Sequence, residues 1–266
     1  LKNQVKNGVD LTEKTASDYL DNLRREDELF LDLSFPTISG YADNGAIVNY
    51  EAEYETAKKL EAKGLYLFDS GATYKDGTTD VTRTISLGEN TYEEKLHYTL
   101  VTIGMLRLLN TKFKRGAIGV SLDIKAREAL WDYGLDYNHG TGHGVGFVNT
   151  VHEMPTSIRN KINKDVYRNL EFEPGMIMSD EPGVYISGKH GIRMEILMTV
   201  VDKGEGFLGF EPLTMAPIDN EPLLVDVMTK RDIEFYNNYQ KQVYDSISGG
   251  LNEEEKAWLK EVTKEI

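Results

Sequence analysis

Gly64-Leu65-Tyr66-Leu67-Phe68-Asp69-Ser70-Gly71-Ala72-Thr73-Tyr74-Lys75-Asp76-Gly77-Thr78-Thr79-Asp80-Val81-Thr82-Arg83-Thr84-Ile85 is the stretch from which the rest of the chain is read. Leu65 to Phe68 is a short apolar, aromatic run after a glycine. Val81 to Ile85 is β-branched and partly alternating. Both predict strands, and Asp76-Gly77 between them predicts a turn. Each strand has an acid at its edge, Asp69 and then Asp80 eleven residues on. A hairpin tip at Tyr74-Lys75 sets these acids directly opposite one another; a tip at Asp76-Gly77 does not. Either Asp alone reads more readily as a carboxylate capping a turn or loop.

The second half echoes this pattern. Met176-Ile177-Met178 and Ile192-Arg193-Met194-Glu195-Ile196 are strand-like, with Glu181 after the first run and Glu195 inside the second. Arg193 and Glu195 are two apart and share a face of a strand. Facing inward, such a pair must be matched or metal-bound, because an unpaired buried charge is very costly. Facing outward, it is an ordinary solvated strand face. A helix is predicted from about Asp10 to Asp32, capped by Asp10 with Glu13 three residues on and ended by Pro36. A second starts at Thr91 with Glu94 completing a capping box, and Leu96, Leu100, Met105 and Leu108 form its buried face. A third runs from Ser121 to Tyr133 and stops at Gly134. The tail from Thr229 to Ile266 is helical in pattern, broken at Gly249-Gly250. Strands and helices are mixed rather than strictly alternating, which predicts an α+β fold.

The formal net charge of −14, with no basic stripe, argues against nucleic acid and anionic membranes as partners. Acidity of this size also serves solubility alone. The absence of cysteine excludes disulfides, zinc fingers and thiol nucleophiles. It fits a reducing, cytoplasmic location. No apolar run approaches the ~20 residues that span a bilayer. Leu1-Lys2-Asn3-Gln4 is neither an initiator Met nor a signal peptide, so the chain is expected to be a piece of a longer one or a processed product.

Three of the five histidines, His139, His143 and His152, fall within fourteen residues. The segment His139-Gly140-Thr141-Gly142-His143-Gly144-Val145-Gly146 lacks the Gly-Lys-Ser/Thr ending of a phosphate loop; its glycines permit close backbone approach to a ligand. His97 and His190 are taken as incidental. One His with several carboxylates is an oxygen-rich donor set suited to a paired Mn²⁺, Co²⁺ or Zn²⁺ site rather than a closed structural zinc. Such a pair activates water and stabilises charge on a carbonyl oxygen.

Taken together, Phe68 to Thr84, His139 to Gly146 with Val151-His152-Glu153, and Asp180-Glu181-Pro182-Gly183-Val184-Tyr185 with Glu195 fourteen residues after Glu181 closely resemble the metal motifs of aminopeptidase P. Leu31 to Thr37 and the C-terminal tail are similar to that family too, so the resemblance spans nearly the whole chain. It implies a pita-bread fold, an α+β domain with two pseudo-symmetric halves around a dinuclear centre, and removal of an N-terminal residue from peptides with proline second. By motif, Asp69, Asp80, His143, Glu181 and Glu195 become ligands of two divalent metal ions, with Mn²⁺ expected and Co²⁺ or Zn²⁺ as alternatives. His139 and His152 would bind substrate and stabilise the transition state, and Arg193 would hold the carboxylate network. A metal-bridging hydroxide would attack the scissile carbonyl, with Glu181 handling the proton. Family precedent implies a homodimer.

Two departures shape the expectation. Longer members of the family carry extra N-terminal domains, so residues 1–266 are read as a single catalytic domain without them. In Asn44-Gly45-Ala46-Ile47-Val48-Asn49-Tyr50 the family pattern has a catalytically helpful His where this chain has Asn49. Asn hydrogen-bonds but does not shuttle a proton near neutral pH, so reduced or altered activity is expected. Three functions follow: an Xaa-Pro aminopeptidase, an Xaa-Pro dipeptidase of the same fold, or a catalytically weakened domain that binds peptide.

Overall fold

The computed structural model describes residues 1–148, 150–162 and 170–266. The first half comprises α1 (Lys2–Lys6), α2 (Glu13–Arg25), β1 (Phe30–Leu33), β2 (Ile38–Tyr41), β3 (Leu65–Ser70), β4 (Ala72–Tyr74), β5 (Gly77–Thr78), β6 (Val81–Ser86) and α3 (Tyr92–Leu109). There follow β7 (Phe113–Lys114), α4 (Gly119–Leu122), α5 (Ile124–Trp131), β8 (Gly142–Val145), β9 (His152–Ile158), β10 (Ile177–Asp180), β11 (Gly183–Ile186), β12 (His190–Arg193), β13 (Ile196–Asp202) and β14 (Phe207–Pro212). Helices α6 (Lys230–Ile247) and α7 (Glu253–Val262) close the chain.

Each half holds an antiparallel pair whose hairpin leaves the main sheet. In the first, β3 pairs with β6 inside the sheet β2-β3-β6, while β4 and β5 join β1 in a separate sheet. In the second, β10 pairs with β13 inside the sheet β7-β14-β13-β10-β8-β9, while β11 and β12 pair with each other. The predicted internal echo is therefore a repeated device of strand, acid, excursion hairpin, acid and strand.

Helix α3 is the spine of the core. Its capping box forms as read, with Thr91 and Glu94 exchanging side-chain-to-backbone hydrogen bonds. Leu100, Met105 and Leu108 are buried and Leu96 partly so, but the buried surface extends round most of the helix, from His97 to Leu106. The reason is that α3 packs against α5 on one side and α6 on another, besides the sheet. At the α5 crossing a Cβ on Gly104 would lie 2.3 Å from the Ala126 carbonyl oxygen, so only glycine allows the approach. Burial of side chains such as Leu108, Met178 and Leu208 in this core contributes about 1.5–3 kcal/mol each.

Several predicted boundaries shift. The first helix is capped by Thr12 rather than Asp10 and ends at Arg25. Glu13 is unavailable for a capping box because its buried carboxylate accepts from the Tyr41 and Lys58 amides and from Tyr50. The helix stops where the Asp27 carboxylate takes the Leu29 amide at 2.8 Å, a local competitor of helical bonding. Phe30–Leu33 then pairs with β4 as a strand. The third helix divides at Asp123 into α4 and α5, while Gly134 does take the left-handed conformation, φ 71°. The strand expected over Ile192–Ile196 is interrupted: β12 ends at Arg193, β13 begins at Ile196, and Glu195 lies in the break. The chain switches partner there, from β11 to β10.

Candidate metal centre

The excursion hairpins bring the acids together. β3 and β6 pair Asp69 with Thr82 and Ser70 with Val81; the turn lies at Lys75-Asp76, between paired Tyr74 and Gly77. Neither hairpin considered from the sequence occurs. Asp80 precedes β6 and sits diagonally from Asp69, with Thr82 in the slot across from it. In the second half Asp180 pairs with Ile196 and Gly183 with Arg193, and the same register sets Glu181 across from Glu195. Glycines let β8 deliver His143 into this gap. A Cβ on Gly142 would lie 2.0 Å from the Ser179 carbonyl oxygen and one on Gly144 2.5 Å from that of Glu153. The close approach is to neighbouring strands.

Asp80, His143 and Glu195 each offer a ligand atom, all within 4.8 Å of one another. His143 Nδ1 donates to the Gly144 carbonyl at 2.8 Å, which turns Nε2 toward Glu181 Oε1 at 3.2 Å and Asp80 Oδ2 at 3.5 Å. Fixing one ring nitrogen on a carbonyl is how a ligating His is oriented. Ser179 Oγ donates to Glu181 Oε1 at 3.0 Å and accepts from the His143 amide at 2.9 Å. Asp69 is turned to Arg193, whose Nη2 donates to Oδ2 at 2.7 Å, while its Oδ1 is buried without a partner among the described residues. Arg193 is 2% exposed and Glu195 1%, which eliminates the solvated-face reading. They meet through Thr82: Arg193 Nε donates to Thr82 Oγ1 at 3.1 Å, and that hydroxyl donates to Glu195 Oε2 at 2.8 Å.

Burial, reinforced by crowded negative charge, governs protonation of Glu195 and Asp80. Burial, then the charges of Asp80, Asp69 and Glu181, push Glu195 well above the usual carboxylate range. Burial, with Asp69 and Glu181 nearby and against the hydrogen bond from His143, pushes Asp80 up to about 6. Burial alone would lower His143, but its hydrogen bonds to Asp80 and Glu181 raise it to about 10. The same contact, opposing burial, draws Glu181 down to about 2. Four carboxylates thus face one imidazolium and one guanidinium. A proton on His143 and protons on the most buried acids occupy the place a cation would take. The donor set and the orphaned Asp69 oxygen fit divalent metal.

The other two histidines differ. His139 Nδ1 donates to the Gly140 carbonyl at 2.8 Å, so Nε2, 2.8 Å from the Tyr185 hydroxyl, is the acceptor. Tyr185 in turn accepts from Arg193 Nη1 at 2.9 Å. Burial holds His139 below the usual imidazole range. His152 is also lowered, by burial and then by the charge on His143. It is exposed, with its ring 4.2 Å from that of His143, edge to face. Asn49 is exposed as well, and the carbonyl of its neighbour Val48 accepts from Arg193 Nη1 at 3.4 Å.

Residues 1–202 match metallopeptidase family M24 and residues 206–266 match the C-terminal region of peptidase M24. The chain belongs to family M24. Its architecture is the pita-bread α+β fold of that family. Aminopeptidase P1 of Arabidopsis thaliana is 41% identical over 263 residues, covering 96% of this chain and 40% of its own length. A probable Xaa-Pro aminopeptidase P of Tuber melanosporum is 40% identical over 100% of this chain and 44% of its own. The crystal structure of the X-prolyl aminopeptidase from Caenorhabditis elegans, described as a cytosolic enzyme with a di-nuclear active site, superposes with a TM-score of 0.92 at 35% identity. That match covers all of this chain and 44% of the other. The prolidase of Pyrococcus furiosus gives a TM-score of 0.66 at 27% identity over 77% of this chain and 56% of its own. The chain therefore spans about two fifths of the length of the curated relatives it matches.

Three further residues of this candidate centre, Thr82, Ser179 and Tyr185, had no role assigned from the sequence. Thr82 is two residues from Asp80, and that alternation was a signal for a shared face. Ser179 stands in the same relation to Glu181. Tyr185 closes a quoted motif, but its contact with His139 follows only from the folding of the β11–β12 hairpin. Among the described residues no helix is long and apolar enough to cross a membrane.

Proposed function

We propose that this chain is the catalytic part of a metal-dependent Xaa-Pro aminopeptidase, acting through residues 1–266 as one domain. The observation that carries the reading is the buried convergence of Asp80, His143 and Glu195 within 4.8 Å, flanked by Glu181 and by the orphaned oxygen of Asp69. Asp69, Asp80, His143, Glu181 and Glu195 would hold two divalent ions. Mn²⁺ is our first choice, with Co²⁺ or Zn²⁺ sharing the donor set. When bound, such ions supply Lewis acidity and lower the pKa of water to near neutrality.

The chain's own residues do the rest. His152, exposed beside His143, would contact substrate. His139 is neutral and held by Tyr185, ready to exchange that hydrogen bond for one to the peptide. Glu181, a carboxylate at neutral pH, accepts the proton released during attack and passes it to the leaving proline nitrogen. Arg193 fixes Asp69, Thr82 and Tyr185 at once. A cytoplasmic location and a homodimer belong to the same proposal; the first is supported by the C. elegans enzyme described as cytosolic.

The test is release of the N-terminal residue from Xaa-Pro peptides after chelation and reloading with each ion. Cleavage of Xaa-Pro-Pro-Xaa is expected. Cleavage of Xaa-Pro dipeptides alone would make the chain a dipeptidase, the activity named for several structural neighbours. Ion binding without release of any residue would leave a peptide-binding domain, the reading that Asn49 favours.

A further inference from the structure

Arg83 lies on β6 between the two threonines that serve Glu195 and Arg193, and it is 3% exposed. Alternation sends its side chain to the opposite face of the strand from Thr82. A buried guanidinium is costly unless its donors are met, and here all five are used on neutral oxygens. Nε donates to the Pro217 carbonyl at 3.0 Å. Nη1 donates to the carbonyls of Thr82 at 2.9 Å and Glu195 at 2.6 Å. Nη2 donates to the Ala216 carbonyl at 2.6 Å and the Tyr239 hydroxyl at 2.9 Å.

These acceptors come from two places. Thr82 and Glu195 belong to the metal centre; Ala216, Pro217 and Tyr239 belong to the C-terminal region, residues 206–266. Glu195 needs such a hold, since it sits where the chain leaves one sheet for another. Its amide goes to the Thr82 carbonyl at 3.1 Å, the same oxygen Arg83 binds, and its own carbonyl goes to Arg83. The guanidinium is a rigid planar fork, so it fixes these oxygens relative to one another. Tyr239 is anchored in turn, its hydroxyl within 2.9 Å of the Thr214 carbonyl and 3.0 Å of that of Ala216.

We infer that Arg83 is a positioning residue through which the C-terminal region holds the Glu195 carboxylate in the metal centre. The inference rests on the proposed metal site and gives the C-terminal region a part in it. The test measures divalent-ion binding by calorimetry on the chelated full chain, with Mn²⁺ and Zn²⁺ in turn. It also measures kcat, KM and the metal-free melting temperature. Arg83→Lys is expected to weaken at least one ion about tenfold or more, the scale of support lost behind a ligand, and to lower kcat with little change in KM. Tyr239→Phe moves the same quantities in the same direction by a few-fold, and it decides the matter if Arg83→Lys does not fold. Arg107→Lys is the control. Arg107 grips Asp232 of α6 with two hydrogen bonds, 2.8 and 3.0 Å, and touches nothing near Glu195; its loss should lower the melting temperature and leave ion binding unchanged. Ion affinity within twofold of the unaltered chain in both Arg83→Lys and Tyr239→Phe would overturn the inference. So would equal weakening in Arg107→Lys at a matched loss of melting temperature. An unaltered chain that binds neither ion would bring down the metal site itself, a result distinct from either.

Discussion

The two acid-bearing hairpins are built alike and differ in where the second acid falls. In the second half Glu181 and Glu195 face each other across the register that pairs Asp180 with Ile196. In the first, Asp69 faces Thr82 and Asp80 is displaced by two residues. The excursions differ too. β4 and β5 join β1 in a sheet of their own, whereas β11 and β12 carry Tyr185 and Arg193 back over Asp69. The opposed pair makes a narrow site of longer carboxylates. The diagonal pair leaves a slot that Thr82 fills, and Thr82 is the link between halves. Two similar devices thus yield one asymmetric centre, with Arg193 reaching from the second half to Asp69 and Thr82 from the first half to Glu195.

Glu195→Gln and Asp80→Asn test whether both devices are needed. Each is expected to lower kcat/KM for an Xaa-Pro peptide by about 10³-fold or more, as for loss of a group acting directly on the reaction. A loss below tenfold for Asp80→Asn alone would remove Asp80 from the proposed ligand set. Arg193→Lys breaks the bridge between halves while keeping a charge. A lysine cannot serve Asp69, Thr82 and Tyr185 together, so turnover should fall about 10–100-fold; unchanged kcat would mean the halves are independent. Asn49→His restores the residue of the resembled pattern on the loop that touches Arg193, and turnover should rise about tenfold, at the low end for a positioned acid–base group. No gain would show that the chain does without it.

The smallest effect is on stability without metal. Asp80, raised to about 6, stabilises the fold fully only below its unfolded value, and this is lost as pH rises through 6. Glu195, also raised, acts in the same sense. Glu181, drawn down to about 2, opposes them only below the usual carboxylate range; His139 and His152, both lowered, oppose them up to the usual imidazole value, and His143, raised to about 10, acts with them above it. Chelated protein should therefore melt higher at pH 5 than at pH 8, by about 2–4 °C for each ~1 kcal/mol of linkage. With saturating ion the order should reverse, because the ligands must shed their protons. Scanning calorimetry at the two pH values reads both signs; a metal-free optimum at pH 8 would contradict the charge balance described above.

The clustered histidines and the oxygen-rich donor set were legible as a candidate site, but each acid alone read at least as well as a turn cap or a solvated strand residue, and only the resemblance of the motifs joined them into one set. What was not legible depends on pairing. Ile192, Met194 and Ile196 continue an apolar alternation straight through Glu195, so nothing local marks the switch from β11 to β10. Thr82 looks like any β-branched strand residue until Asp69 is placed across from it. Glu13 looks like a capping acid until the loop at Tyr41, Tyr50 and Lys58 closes on it. In each case a distant partner overrides what the neighbours in sequence suggest.

The continuity of register through both excursions restricts how this chain can change length. One residue added within an arm of β4–β5 or β11–β12 would turn every later side chain to the other side, presenting Thr79 where Asp80 stands or Met194 where Glu195 stands. The tips, at Lys75-Asp76 and around Gly188, lie beyond the paired arms of β4–β5 and β11–β12. Natural insertions and engineered tags alike should be tolerated at those two turns and nowhere else along either hairpin.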